Sequence, residues 1–420
     1  MYAIRAAAVA ALFTLVGCAT GPAGPVGSER GFSAPGVQRL NDTVRAEVAG
    51  GKVPGAVVLI ARNGKVEVDE VFGVIDVKSG APMPKDAIFR IYSMTKPIVS
   101  IGVMMLVEEG KVQLSDPASK YFPEFRDLKV GVERPGPDGK PALELAPMQR
   151  EMTVLDLLRH TSGLTYGVFG TSLVKAEYGK ADVDSTELDN QELIRRLAKV
   201  PLQFQPGTTW EYSRSTDVLG ALIERVSGRT LDVFLKERIL GPLKMSDTDF
   251  WVDPAKHARI AEPFALEPLN KQPVNLINVR TRPRYMSGGG GMVSTARDYL
   301  RFAQMLLNGG ELEGVRIVSP HTIRFMTTDH TAGITGIARG PAYGPGPGYG
   351  FGLGFAVRQT HGNAPWPGTT GDYSWGGLGG TYFWVDPEQK TIAIWMMQSV
   401  AQRVYMRGLY RGLVYGAMNQ

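Results

Sequence analysis

The chain has 420 residues, 43% hydrophobic and 21% charged, a balance that excludes a disordered chain and a small disulfide scaffold. Its 46 Lys and Arg stand against 41 Asp and Glu, a net charge of +5 with no long basic run, so no nucleic-acid footprint is expected. A single cysteine excludes an internal disulfide and any cysteine-rich metal site.

Residues 1–17 carry one positive charge, Arg5, followed by an apolar run over 6–16. That run is too short to span a bilayer of about 30 Å, and it has the length and flanks of a secretory signal peptide. It ends Leu15-Val16-Gly17-Cys18, which resembles the bacterial lipobox. The resemblance implies that Cys18 is lipidated, becomes the first mature residue and anchors the protein to a membrane. Ala19 after the cysteine then favours the periplasmic side of the outer membrane. Ordinary cleavage, giving a periplasmic or secreted protein, is the alternative. Residues 18–35, rich in Gly, Pro, Ala and Ser, are expected to form a flexible tether. No second linker and no repeat follows, so 36–420 is taken as one domain.

Val37, Leu40, Val44 and Val48 recur at helical spacing, and Gly50-Gly51 stops that helix. Segments 56–61 and 65–72 are expected as strands joined at Asn63-Gly64, a hairpin signal. Helices are expected over 95–109, 153–159, 191–199, 216–227, 230–238 and 296–308. Strands return over 351–359, 380–385 and 391–397, the last two joined by Asp386-Pro387-Glu388, and an amphipathic stretch covers 400–415. Segments 131–149, 165–189 and 331–349 are expected to be loops, the last either lining a ligand entrance with Tyr343 and Tyr349 or serving as flexible covering. Strands at both ends with helices between them give an α+β fold. One antiparallel sheet, flanked by helices and completed by the N- and C-terminal segments, would carry a large helical insertion lobe, with the ligand in the cleft between them.

The sharpest local feature is Ile91-Tyr92-Ser93-Met94-Thr95-Lys96-Pro97. Ser93 and Lys96 are three apart, so on a helix the ammonium shares a face with the hydroxyl. The helix N-terminus favours negative charge on the serine oxygen. Burial there is expected to lower the Lys96 pKa, so that the amine can take the serine proton.

Further segments carry a resemblance in the same order along the chain. Trp210-Glu211-Tyr212-Ser213-Arg214 looks like a Tyr-x-Asn segment, and Trp375-Gly376-Gly377-Leu378 stands where Lys-Thr-Gly or His-x-Gly would. Leu157-Leu158-Arg159-His160-Thr161-Ser162-Gly163-Leu164 and Ser287-Gly288-Gly289-Gly290-Gly291-Met292 also match. From about residue 36 to 417 the chain resembles the serine β-lactamase-like superfamily, with the fold of class C β-lactamases and penicillin-binding proteins. Ser-x-x-Lys is a known signature of those enzymes. Two departures decide the subgroup. Trp375 replaces the lysine that would hold a β-lactam carboxylate, and an indole supplies no cation. Arg214 replaces the asparagine that would hold the acylamide, and Arg cannot accept a hydrogen bond. The Trp-Gly-Gly version resembles the family VIII carboxylesterases.

The resemblance implies a serine carboxylesterase for small to medium acyl esters, needing no cofactor. Ser93 is the expected nucleophile, with Lys96 and Tyr212 sharing the general-base role. The N–H groups of Ser93 and Leu378 would form the oxyanion hole. Tyr92, Arg214, Trp375, Gly376 and Gly377 would bind substrate, with Trp375 walling the pocket and the glycines admitting substrate to the strand edge. An amide-directed enzyme (D,D-peptidase, D-aminopeptidase or weak β-lactamase), a transesterase and a non-catalytic envelope-binding protein are the alternatives. His160 is read as structural, because the chain has no Gly-x-Ser-x-Gly elbow to serve a Ser-His-Asp triad. The scattered histidines give no metal-ligand spacing, and the Ser287 glycine run reads as a turn ahead of a helix.

Overall fold

The computed structural model describes residues 31–339 and 343–419. Helix α1 (Ala34–Ala49) opens on Ser33, whose hydroxyl accepts from the Gly36 N–H, and buries Leu40 and Val44 on the expected face. Strands β1 (Gly55–Arg62) and β2 (Lys65–Asp76) form the predicted hairpin. At its turn Asn63 and Gly64 have φ of +52° and +78°, the left-handed pair that a two-residue primed turn demands. β3 (Ala81–Pro82) lies at that edge. The lobe that follows contains α2 (Thr95–Glu108), buried from Thr95 to Leu106, then α3 (Ser215–Ser227) and α4 (Ala296–Leu307). The chain re-enters the sheet through β4 (Tyr349–Phe351), β5 (Ala356–Arg358), β6 (Tyr373–Gly376), β7 (Tyr382–Asp386) and β8 (Thr391–Met397), and closes with α5 (Arg403–Ala417).

The sheet runs β4-β5-β6-β7-β8-β1-β2-β3, antiparallel throughout. β1 therefore pairs with β8, from Ala56 opposite Met397 to Arg62 opposite Thr391, and the two ends of the chain make one sheet as expected. Alternation along β8 divides the core in two. Ile392, Ile394 and Met396 face α2 and α4, whereas Ala393, Trp395 and Met397 face α1 and α5. Both faces are covered, so the strand reads as one apolar run. Each fully buried aliphatic side chain contributes about 1.5–3 kcal/mol relative to exposure. A buried ion triad ties α5 to the sheet. Asp372 accepts from Arg358 at 2.9 Å and from Arg411 at 2.6 Å, all with side chains out of solvent.

Several local expectations are corrected. Residues 131–149 are no loop: Lys129–Pro135 and Pro141–Pro147 form a hairpin. The expected strand over 351–359 is two short strands, β4 and β5, folded back on each other. The helix over 230–238 is Leu231–Leu235 followed by a wider π-type turn, Lys236–Leu240. A helix at Pro320–Met326 was not anticipated, although Ser319 caps it and proline starts it. The tether ends before residue 35: Phe32 bridges Met418, and the Ser33 N–H donates to the Ala417 carbonyl at 2.8 Å. The proposed signal segment, Cys18 and the rest of the tether lie outside the described residues.

Candidate active site

Ser93 lies on the single turn Tyr92–Met94 that leads into α2. Tyr92 just before it has φ +44°, a left-handed conformation costly for a bulky residue. Packing holds it there. The Tyr92 hydroxyl accepts from the Ile277 N–H at 3.0 Å, and Gly379 lies against its ring.

Lys96, fully buried in the first turn of α2, spends its three donors on three acceptors. They are the Ser93 hydroxyl at 3.2 Å, the Tyr166 hydroxyl at 3.0 Å and the Gly289 carbonyl at 2.5 Å. Burial alone would lower its pKa, as the sequence reading assumed. The opposite holds, because Tyr166, Tyr212 and the buried Asp217 carboxylate outweigh burial and raise it. Lys96 is therefore a cation in the resting site.

Tyr212 comes from the other side of the cleft. Its ring lies 4.5 Å from the Lys96 ammonium and stacks on Trp210, 5.9 Å between centroids. The Trp375 indole donates to its hydroxyl at 3.2 Å. The backbone around Tyr212 is pinned by His160, whose carbonyl accepts from the Glu211 N–H and whose Nδ1 meets the Ser213 hydroxyl at 3.1 Å. Burial, reinforced by the Lys96 charge, holds His160 well below its usual pKa, so the imidazole is neutral and serves as a brace.

Two residues in this centre were missed in the sequence. Tyr166 is one; burial pushes its phenol up, so it stays protonated while accepting from Lys96. It lies at the start of segment 165–189, which was read only as a loop. Asp217 is the other. It accepts from Tyr285 at 2.7 Å, Ser287 at 2.6 Å and the Gly289 N–H at 3.0 Å. Burial would raise its pKa, but Arg214, Lys96 and these hydrogen bonds keep it low and ionised. The glycine run lies tight against α3: a Cβ on Gly289 would fall 2.5 Å from the Asp217 carboxylate. The run is thus a clamp that presents the Gly289 carbonyl to Lys96, and not merely a turn.

Ser93, Tyr212 and Leu378 all line one cavity of about 470 Å³, together with Tyr92, Tyr166, Phe169 and Phe250. Among the described residues the Leu378 N–H donates to no other group, which leaves it free to face an oxyanion. Arg214 lines the cavity, but its guanidinium pairs with Asp184 and Asp217 and lies over the Tyr166 ring. Trp375, Gly376 and Gly377 are not among the residues lining this cavity; Trp375 stands behind Tyr212, which lines it. The glycines make room for protein: a Cβ on Gly377 would fall 2.4 Å from the Ile91 carbonyl, and one on Gly376 would strike the Arg407 guanidinium. Among the described residues of 331–349 none lines the cavity: Tyr343 packs on Trp210, and Tyr349 is buried beside Trp366. Its walls are Tyr166–Phe169, Asp184–Glu187 and Ile277–Ser287.

A mixed α+β body with a Ser-x-x-Lys turn set against an antiparallel sheet is the architecture of β-lactamases and penicillin-binding proteins, and it marks a serine hydrolase of that fold. The chain belongs to the family described as Beta-lactamase, whose model matches residues 40–414. It is 36% identical to Protein Rv1367c of Mycobacterium tuberculosis over 290 residues, 68% of this chain and 70% of that one. It is 33% identical to Esterase EstB of Burkholderia gladioli over 316 residues, 70% and 74% of the two chains. A solved structure, described as EstCE1, a hydrolase with promiscuous acyltransferase activity, matches with a TM-score of 0.75. That match has 26% identity over 91% of this chain and 98% of the other.

Proposed function

We propose that this hydrolase is a carboxylesterase for small to medium acyl esters, working through an acyl-enzyme on Ser93. The observation that carries the reading is the pairing of the cavity's cations. Arg214 is held by Asp184 and Asp217, Arg282 by Asp232 at 2.6 Å, and Arg284 faces Asp189 at 3.5 Å. With Trp375 where a lysine would stand, no unpaired cation among the lining residues awaits the carboxylate of a β-lactam or a peptide terminus. Val168, Phe169, Phe250 and Ile277 offer apolar surface to a neutral acyl chain instead. EstB, an esterase by name, lends support.

In this mechanism Tyr212 works as the phenolate: its oxygen takes the Ser93 proton and becomes the phenol, while the Lys96 cation lowers the cost of charge on both oxygens. Ser93 adds to the ester carbonyl, and the Ser93 and Leu378 N–H groups hold the resulting oxyanion. Collapse expels the alkoxide, which recovers the proton from Tyr212. Water then adds to the acyl-enzyme by the same route and releases the carboxylic acid. An alcohol in place of water would give acyl transfer, a second reading favoured by the description of EstCE1. The proposal includes export and lipidation at Cys18, tested by a mass shift that disappears in Cys18→Ser. The site is tested by fluorophosphonate labelling with peptide mapping: Ser93 should carry the label, and labelling elsewhere would refute the assignment.

A further inference from the structure

The peptide joining Gly377 to Leu378 has two ends with different partners. Its carbonyl accepts from Arg407 Nη2 at 2.8 Å, and from the Gly380 N–H at 3.2 Å. Its N–H belongs to Leu378, which lines the cavity and whose N–H donates to no group among the described residues. In a planar trans peptide these two groups point in opposite directions, so whatever holds the carbonyl aims the N–H. The surrounding turn is set against the nucleophile. The Gly377 N–H donates to the Thr381 carbonyl at 2.8 Å, and the Thr381 hydroxyl donates to the Ile91 carbonyl at 3.3 Å, two residues before Ser93.

Arg407 is unusual among the arginines near the site. Aspartates pair with Arg214, Arg282, Arg358 and Arg411, but no carboxylate among the described residues pairs with Arg407. Its Nε is sealed from solvent without a partner, and its guanidinium carbon lies 5.4 Å from the centre of the Tyr382 ring. Burial lowers its pKa to about 10, so it is a cation at neutral pH. A half-buried cation whose hydrogen bond goes to a carbonyl directs its field onto that peptide. Gly376 fits the same arrangement, since a Cβ there would fall 2.4 Å from the guanidinium carbon.

We infer that Arg407 is a positioning residue of the oxyanion hole: from the far face of the sheet it fixes and polarises the Gly377–Leu378 peptide, making the Leu378 N–H a better donor to the tetrahedral intermediate. The inference rests on the esterase reading above. It assigns the Trp375-Gly376-Gly377 segment a role in which Gly376 admits the guanidinium and Gly377 supplies the carbonyl it grips.

The test compares p-nitrophenyl butyrate hydrolysis by the wild type, Arg407→Met, Arg407→Lys and Gly376→Ala, with Ser93→Ala as control. Loss of an oxyanion donor itself costs a factor of about 100–1,000 in kcat. Arg407→Met keeps that donor but frees its peptide, so kcat should fall about tenfold with KM within about twofold. Arg407→Lys, which keeps a cationic donor, should recover most of kcat, and reaction of Ser93 with a fluorophosphonate should slow in step. Gly376→Ala displaces the guanidinium without removing it and should reproduce the kcat loss, which keeps the test decisive where Arg407→Met fails to fold. Wild-type kcat in folded Arg407→Met or Gly376→Ala, or a change confined to KM, would overturn the role of Arg407. Turnover that survives Ser93→Ala would instead overturn the esterase reading beneath it.

Discussion

Replacing Trp375 by phenylalanine keeps an aromatic ring against Phe351 and Tyr212 but deletes the N–H that donates to the Tyr212 hydroxyl at 3.2 Å. Indole is a donor only, so this bond is worth most when the tyrosine oxygen carries charge. A hydrogen bond between neutral groups contributes about 0.5–1.5 kcal/mol net, and one to a charged group about 1.5–3 kcal/mol. Its loss should therefore weigh on the charged form by about 1–2 kcal/mol more than on the neutral one, a fall of roughly five- to thirtyfold in kcat. KM should change little, because Trp375 does not line the cavity. The assay is initial-rate hydrolysis of p-nitrophenyl butyrate, with thermal unfolding to confirm that Trp375→Phe is folded. An unchanged kcat, or a rise in KM alone, would refute the donor role and return Trp375 to the place of a pocket wall.

Other perturbations read different parts of the site. Asp217→Asn keeps an acceptor for Tyr285 and Ser287 but removes the carboxylate that raises the Lys96 pKa, so the alkaline limb of the kcat–pH profile should move to lower pH. A superimposable profile would contradict this. His160 is held neutral in the fold, whereas in the unfolded chain it titrates near 6.5. Below that pH the unfolded state binds a proton that the native state refuses, so stability should fall as pH drops from about 6.5. His160→Gln should flatten the fall in melting temperature between pH 7 and 5, and an unaltered slope would count against the argument. Asp372→Ala leaves Arg358 and Arg411 buried without their carboxylate, which should cost about 3–5 kcal/mol in denaturant unfolding. A loss below about 1 kcal/mol would show that the triad does not hold α5 in place.

The parts of the molecule governed by local chemistry were readable in the sequence. Asn63-Gly64 specifies its turn through φ, and the β8 strand declares itself as an unbroken apolar run bounded by a turn. Ser93 and Lys96 were legible because helical spacing alone puts them together. The 129–147 hairpin carried a turn signal in Gly136-Pro137-Asp138-Gly139, yet 131–149 was read as a loop. What failed needed tertiary knowledge. The direction of the Lys96 shift depends on Asp217, an acid in the first turn of α3 that looks like ordinary dipole compensation. The glycines beside Trp375 were read as room for substrate, whereas that room holds the Ile91 backbone and a guanidinium from α5, thirty residues on from Gly377.

The measurement that bears most directly on the central claim is kcat/KM for p-nitrophenyl butyrate against that for nitrocefin, in the wild type and in Ser93→Ala. A cavity whose cations are already paired, with an indole where an ammonium would be needed, predicts that the ester is strongly preferred. Ser93→Ala should abolish its turnover while the protein stays folded. Nitrocefin turned over faster than the ester, or ester hydrolysis surviving without Ser93, would contradict the account.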